Sequence, residues 1–279
     1  MDKKIRKIGL GTVQFGIPYG ISNKSGQTSP DEVSKILETA QKKEIQFIDT
    51  ASAYGTAEKV LGRHDLTSFK VISKFMPPEE GASVNDQFKK TLSDLGIPSL
   101  YGYLAHRPLN LAENLHQWEE LNSFKENGKV EKIGFSLDTP AQLKALLNKG
   151  IKPDIIQAPF NYFDRRFKEL MIALKKDGCE IHSRSAFLQG LFFMNVQNLD
   201  SHFEEVFPLL EQLQKSMNNL PGSLLNFVLD QTFIDTVIVG VENHQQFIEN
   251  LKSVSMFDPL PKMQQDISDS ILIPSNWPK

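Results

Sequence analysis

Eight short apolar runs, nearly every one followed by a longer amphipathic run, constrain the fold of this chain more than any other feature. They are IGLGTV (8–13), QFIDT (46–50), FKVISKF (69–75), LYGYLAHRP (100–108), VEKIGFS (130–136), PDIIQAPF (153–160), GCEIHSRS (178–185) and IDTVIVG (234–240). The intervening segments carry helical punctuation. SPDEVSKILETAQKKE has Ser29 as a predicted N-cap with Pro30 at the first helical position. LAENLHQWEELNSFKENG reads as one helical run with Gly128 at its C-terminal boundary. Strands that alternate with helices pair as parallel βαβ units, and eight of them in 279 residues predict a closed (β/α)8 barrel. An open doubly wound sheet would need a G-x-G-x-x-G after a strand, and the chain has none. No linker, low-complexity tract or charge block divides it, so residues 1–279 are read as a single domain.

After the seventh run the pattern loosens into LQGLFFMNVQNLDSH (188–202), then HFEEVFPLLEQLQKSMNN and PGSLLNFVLDQ as two helical runs. Leu191, Phe192, Phe193 and Met194 form an apolar patch there, readable as a wall covering the barrel or as the wall of a substrate pocket.

Composition excludes several classes of function. A net charge of -3 without a basic stripe gives no electrostatic footprint for nucleic acid or an anionic membrane. No apolar stretch approaches the roughly 20 residues that cross a bilayer. The N-terminal MDKKIRKIGLG lacks the apolar core and cleavage site of a secretory signal. The single cysteine, Cys179, excludes an internal disulfide and suits a reducing cytoplasm, the expected location. The histidines lack paired ligand spacing, so no metal site is expected.

Barrels of this kind carry their chemistry at the C-terminal ends of the strands. Asp49 closes the second strand, Lys74 the third and His106 the fourth, with Tyr54 in the loop after the second. Each alone has an ordinary reading: a cap, a snorkelling lysine, a satisfied core histidine. Together they have a chemical logic. A lysine beside a phenol favours the phenolate, and an aspartate paired with that lysine offsets its desolvation. A histidine N–H can hold a carbonyl oxygen next to the phenol. Such a set donates a proton to a carbonyl that receives hydride from elsewhere.

These residues sit in motifs that resemble the aldo-keto reductase family. The pattern DTA-x-x-YG-x-x-E-x-x-LG is matched by Asp49, Thr50, Ala51, Tyr54, Gly55, Glu58, Leu61 and Gly62. VISKF supplies Lys74, YLAHRP supplies His106, and the opening IGLGT, with Gly11 and Thr12, is similar to the family's first motif. The resemblance implies a catalytic tetrad of Asp49, Tyr54, Lys74 and His106, with Tyr54 as the general acid. It also implies a nicotinamide cofactor lying across the barrel top, NADPH by family default and NADH left open, and a small-molecule carbonyl substrate. Ser136 and Gln157 fall where the family binds the nicotinamide carboxamide, although Leu137 replaces the usual Asn. Arg184, followed by Ser185, stands where the family stacks an aromatic ring. Three readings are open for it: stacking on the nicotinamide, binding an anionic part of the substrate, or turning toward a local carboxylate.

The eighth strand leads through Gly240 into a helix, a phosphate-binding arrangement in which free helix N–H groups face the anion. Where NADPH-preferring members carry a Lys-Ser pair and an Arg, this chain has Gly240, Val241 and Gln246. Nearby His244 is the candidate substitute cation, and Glu249 and Asn250 match the closing pair that contacts adenine. The expected activity is reduction of an aldehyde or ketone, with a sugar derivative as the candidate substrate. A cofactor-binding regulatory subunit with little turnover is the alternative. A barrel lyase or isomerase using Lys74 as a Schiff base is disfavoured, because Asp49 beside it stabilises the ammonium.

Overall fold

The structure, a computed structural model, describes residues 3–79, 83–263 and 265–278. Eight parallel strands close into a barrel in sequence order: β1 (Ile8–Gly11), β2 (Phe47–Asp49), β3 (Lys70–Phe75), β4 (Leu100–Ala105), β5 (Val130–Ser136), β6 (Ile155–Pro159), β7 (Glu180–Arg184) and β8 (Thr236–Gly240). The first strand lies between the second and the last, and Gly11 is level with both Asp49 and Gly240. The (β/α)8 expectation holds, with every strand inside the run assigned to it.

The strands are apolar along their length because both faces are covered. Outward-facing residues pack under the helices: helix Pro30–Lys42 buries Val33, Ile36, Leu37 and Ala40 at helical spacing. Its Ser29 accepts a hydrogen bond from Glu32 N–H, and Pro30 sits at the start, as predicted. Inward-facing residues alternate with these, so Phe47 and Asp49, or Ile72 and Lys74, share the barrel interior. The lower interior is a small apolar cluster of Phe47, Ile72, Tyr101, Leu104 and Ile155. Below it Glu180 accepts hydrogen bonds from His182 Nε2 and Tyr101 Oη, each at 2.6 Å, and pairs with Lys132 Nζ at 2.6 Å. Burial opposes the charge, yet these three donors hold the Glu180 carboxyl down at about 2. That end of the barrel is sealed.

Two departures from the sequence reading are local. The run beginning LAENLHQW is not one helix but two, Leu109–Glu113 and His116–Glu126. Asn114 leaves helical geometry at φ -129°, ψ 70°, and its side-chain amide bonds back to Asn110 O at 3.1 Å. The patch after β7 divides. Leu191 and Phe192 are buried against Phe163, Phe203 and Leu210, as the wall reading expects, whereas Phe193 is exposed. Trp277 packs edge-on against Phe203 and donates to Ile271 O at 2.9 Å, which folds the C-terminal segment onto this second cluster.

One close approach positions the loop after β2. A Cβ on Gly16 would lie 1.7 Å from Tyr54 O, and Gly55 beside it has φ +58°. Gly16→Ala is therefore expected to push the Tyr54 loop off the barrel rim. The expected cost is about 2–3 kcal/mol, the scale of overpacking, read as a lowered midpoint in urea unfolding; an unchanged midpoint would show that the loop yields freely.

Candidate active site

The site is built on an inward-facing lysine. Lys74 has no solvent exposure, and its Nζ donates to Asp49 Oδ1 and Oδ2 at 2.8 and 2.7 Å and to Thr50 O at 2.8 Å. An ammonium has three donors, and the shortest contacts they make are to these acceptors. Tyr54 Oη lies 3.5 Å from the same nitrogen, with the ring centroid at 5.0 Å. Burial alone would lower the Lys74 pKa, but Asp49 and Tyr54 outweigh it and the net direction is upward. Lys74 is therefore a fixed cation.

Each neighbour is held in turn. Gln157 Nε2 donates to Asp49 Oδ1 at 2.7 Å, so this amide braces the carboxylate. Thr12 Oγ1 donates to Asp49 O at 2.9 Å. The backbone N–H and side chain of Ser52 both donate to Lys74 O at 3.0 Å, tying the Tyr54 loop to β3. Glu58 is buried and accepts from Ser73 Oγ at 2.5 Å and Thr91 Oγ1 at 3.4 Å, anchoring the next helix to the outside of the barrel. His106 stands edge-on to Tyr54 with centroids 5.7 Å apart. Burial, then Lys74, Arg107 and Arg184, depress its pKa to about 3, so its imidazole is neutral at physiological pH. The four predicted tetrad residues are thus brought together.

The predicted cofactor residues divide. An open cavity runs along the rim past Asp49, Tyr54 and Gln157, across Gly11, Thr12 and Gly240, to Glu242 and Gln246; Ser185 also lines it. Ser136 is buried in register with Gln157, and Glu249 and Asn250 lie outside the cavity lining. Glu249 instead accepts from Gln245 Nε2 at 2.6 Å. Arg184 lines the cavity but turns to a local carboxylate, the third of its three readings. Its Nη2 donates to Asp138 Oδ1 and to Leu137 O at 2.9 Å, and Nη1 to Ser185 Oγ at 3.2 Å. The loop after Arg184 is strained: Ser185, Leu188 and Gln189 all have positive φ. Asn161 Nδ2 clamps Ser185 O at 3.0 Å, and Gln189 Nε2 donates to Tyr19 Oη at 2.9 Å.

Sequence reading missed Gln14, Tyr19, Phe187, Gln189 and Glu242, which also line the cavity. All lie outside the strands, where neither period nor motif marks them. The cavity suits an extended cofactor. A Cβ on Gly240 would come 2.8 Å from Gln14 Oε1, and one on Gly11 3.2 Å from Gly240 N, so the two glycines keep the trough open. Gln14 Oε1 is buried without a partner, as is His106 Nδ1 at the tetrad. No cluster of possible metal ligands occurs among the described residues, and no helix among them is long and apolar enough to cross a membrane.

Comparison with known proteins agrees. The model of the Aldo/keto reductase family matches residues 7–273. The chain belongs to the aldo/keto reductase family of oxidoreductases, in which dependence on NAD(P)H is general. The fold is shared with PA4992 of Pseudomonas aeruginosa, a proposed aldo-keto reductase, at 23% identity over 88% of each chain and a TM-score of 0.66. It is also shared with the aldo-keto reductase AKR11C1 of Bacillus halodurans in its holo form, at 20% identity, a TM-score of 0.69, and coverage of 91% of this chain and 88% of that one. At such identities these likenesses show the fold alone. A search of curated proteins finds no match.

The depressed His106 pKa has a stability signature. Folded His106 refuses a proton that the unfolded chain accepts below about 6.5, so stability falls as pH drops from 6.5 toward 3. The slope is at most about 1.4 kcal/mol per pH unit. Between pH 6.5 and 5 the wild type should lose roughly 1.5 kcal/mol more than His106→Gln, measured by urea unfolding at both pH values. Equal losses would mean that His106 titrates as a free imidazole.

Proposed function

We propose that the protein reduces an aldehyde or ketone to an alcohol, taking hydride from a nicotinamide cofactor and a proton from Tyr54. The observation that carries this is the buried Lys74, held by Asp49 and Thr50, with its charge 3.5 Å from the Tyr54 hydroxyl at the cavity wall. The cofactor, when bound, supplies the hydride. Its candidate binding residues are Gly11, Thr12, Gln157, Arg184, Ser185, Gly240 and Gln246, with Ser136, Glu249 and Asn250 assigned by family position only.

The remaining work falls to the chain's own side chains. Tyr54 O–H hydrogen-bonds the substrate carbonyl oxygen and passes its proton there as negative charge develops. The Lys74 ammonium stabilises the charge left on Tyr54 Oη, and Asp49, braced by Gln157, prevents that ammonium from moving. Neutral His106 offers an N–H as a second donor to the same oxygen. The tyrosine recovers its proton from solvent. A tetrad in which Asp49 and Thr50 anchor Lys74 and Gln157 anchors Asp49 favours turnover over a binding-only role. The exposed rings of Tyr19 and Phe193 at the cavity support a sugar derivative as substrate, since aromatic faces stack on the apolar side of a sugar ring.

Tyr54→Phe should lower kcat by roughly 10²–10⁴-fold, the usual contribution of a general acid, while the cofactor Kd changes by less than about twofold. Steady-state kinetics and a fluorescence titration read the two quantities. Near-normal turnover would reject Tyr54 as the acid. On a panel of aldoses and simple aldehydes, kcat/KM should favour the sugars; equal values would remove the sugar assignment.

A further inference from the structure

The far end of the cavity carries the wrong charge for a phosphate. Helix His244–Ser253 starts there, and a bare helix N-terminus would welcome an anion. Here the N–H groups of His244, Gln246 and Phe247 already have partners, as does that of Glu242 just ahead of the helix. Glu242 N–H donates to Gln246 Oε1 at 2.7 Å, Gln246 N–H to Asn243 Oδ1 at 2.9 Å, and Phe247 N–H to Asn243 O at 3.2 Å. His244 N–H donates to Glu32 Oε2 at 2.7 Å, so a carboxylate already complements the helix dipole. That bond, with Lys35 beside it at 3.0 Å, holds Glu32 below the ordinary carboxylate range.

The side chains tell the same story. His244 turns its ring to Thr39 Oγ1 at 2.8 Å, away from the substitute-cation role that sequence position suggested. Glu242 and Gln246 line the cavity at this end. Arg184 is the one Lys or Arg among the described residues lining it, and it is paired with Asp138. Lys35 does not line the cavity, and its charge is matched by Glu32. A dianionic phosphate needs charge-assisted donors; the Glu242 carboxylate, and a helix start whose His244 and Gln246 N–H groups are already engaged, provide none. A carboxylate is instead a good acceptor for the vicinal hydroxyls of an unmodified ribose.

We infer that this site selects the nicotinamide cofactor with free ribose hydroxyls, NADH, over its 2′-phosphorylated counterpart, and that Glu242 is the specificity-determining residue. The inference rests on the reading that the cofactor occupies this cavity. It departs from the family default of NADPH, which carries no information about these particular residues.

Direct titration of the whole protein by fluorescence, without substrate, tests it. The Kd for NADH should be at least about tenfold below that for NADPH, the scale of one lost charge-assisted contact. Glu242→Gln should narrow the ratio to within about threefold, chiefly by tightening NADPH. Glu32→Gln keeps an acceptor for His244 N–H while removing charge, and should shift the ratio in the same direction. NADPH binding as tightly as NADH to the wild type would overturn the inference and leave the reductase assignment standing. So would a ratio untouched by both variants. Binding of neither cofactor would overturn the proposed function and this inference together.

Discussion

The rest of the site depends on a cation held inside a barrel. Taking an ammonium and a carboxylate out of water costs several kcal/mol each, and their attraction repays this only with good geometry and with the remaining donors satisfied. Lys74 meets that condition with two oxygens of Asp49 and one of Thr50. Tyr54 Oη receives from Lys74 a nearby charge and a long hydrogen bond at 3.5 Å. The phenol hydroxyl is then free to point at a substrate.

Holding that charge still is a division of labour along the barrel axis. At one end Tyr101, Lys132 and His182 Nε2 all converge on the Glu180 carboxylate. At the other, Asp49, Lys74 and Gln157 form a similarly tight set, but Tyr54, His106 and Gln14 keep unspent bonding capacity. The strand period of two connects the ends. Phe47, Ile72 and Ile155 fill the interior one layer below Asp49, Lys74 and Gln157, so apolar packing supports the polar layer directly.

What was legible in the sequence follows from range. The barrel could be read because each strand and its following helix are local patterns repeated eight times. The tetrad could be read because strand ends have a fixed place on the rim. Arg184 could not, since its partner Asp138 lies 46 residues earlier, and three orientations satisfy the same local sequence. The start of helix His244–Ser253 looked open for the same reason: Glu32, which caps it, is 212 residues away. The break at Asn114 was hidden differently, because a side chain competing with the backbone leaves the apolar spacing of the run intact. Period and motif report an element's own geometry; they do not report which distant side chain reaches it first.

The Gly11–Gly240 pair shows what the trough costs the scaffold. These residues sit level on the strands that meet where the barrel closes, and glycine gives a strand neither side-chain packing nor conformational economy. The opening is thus a gap in the one joint that converts a sheet into a ring. A molecule lying across that joint spans the first strand and the last, doing the work of the missing side chains. By mass action any molecule that binds there raises the resistance of the whole ring to opening.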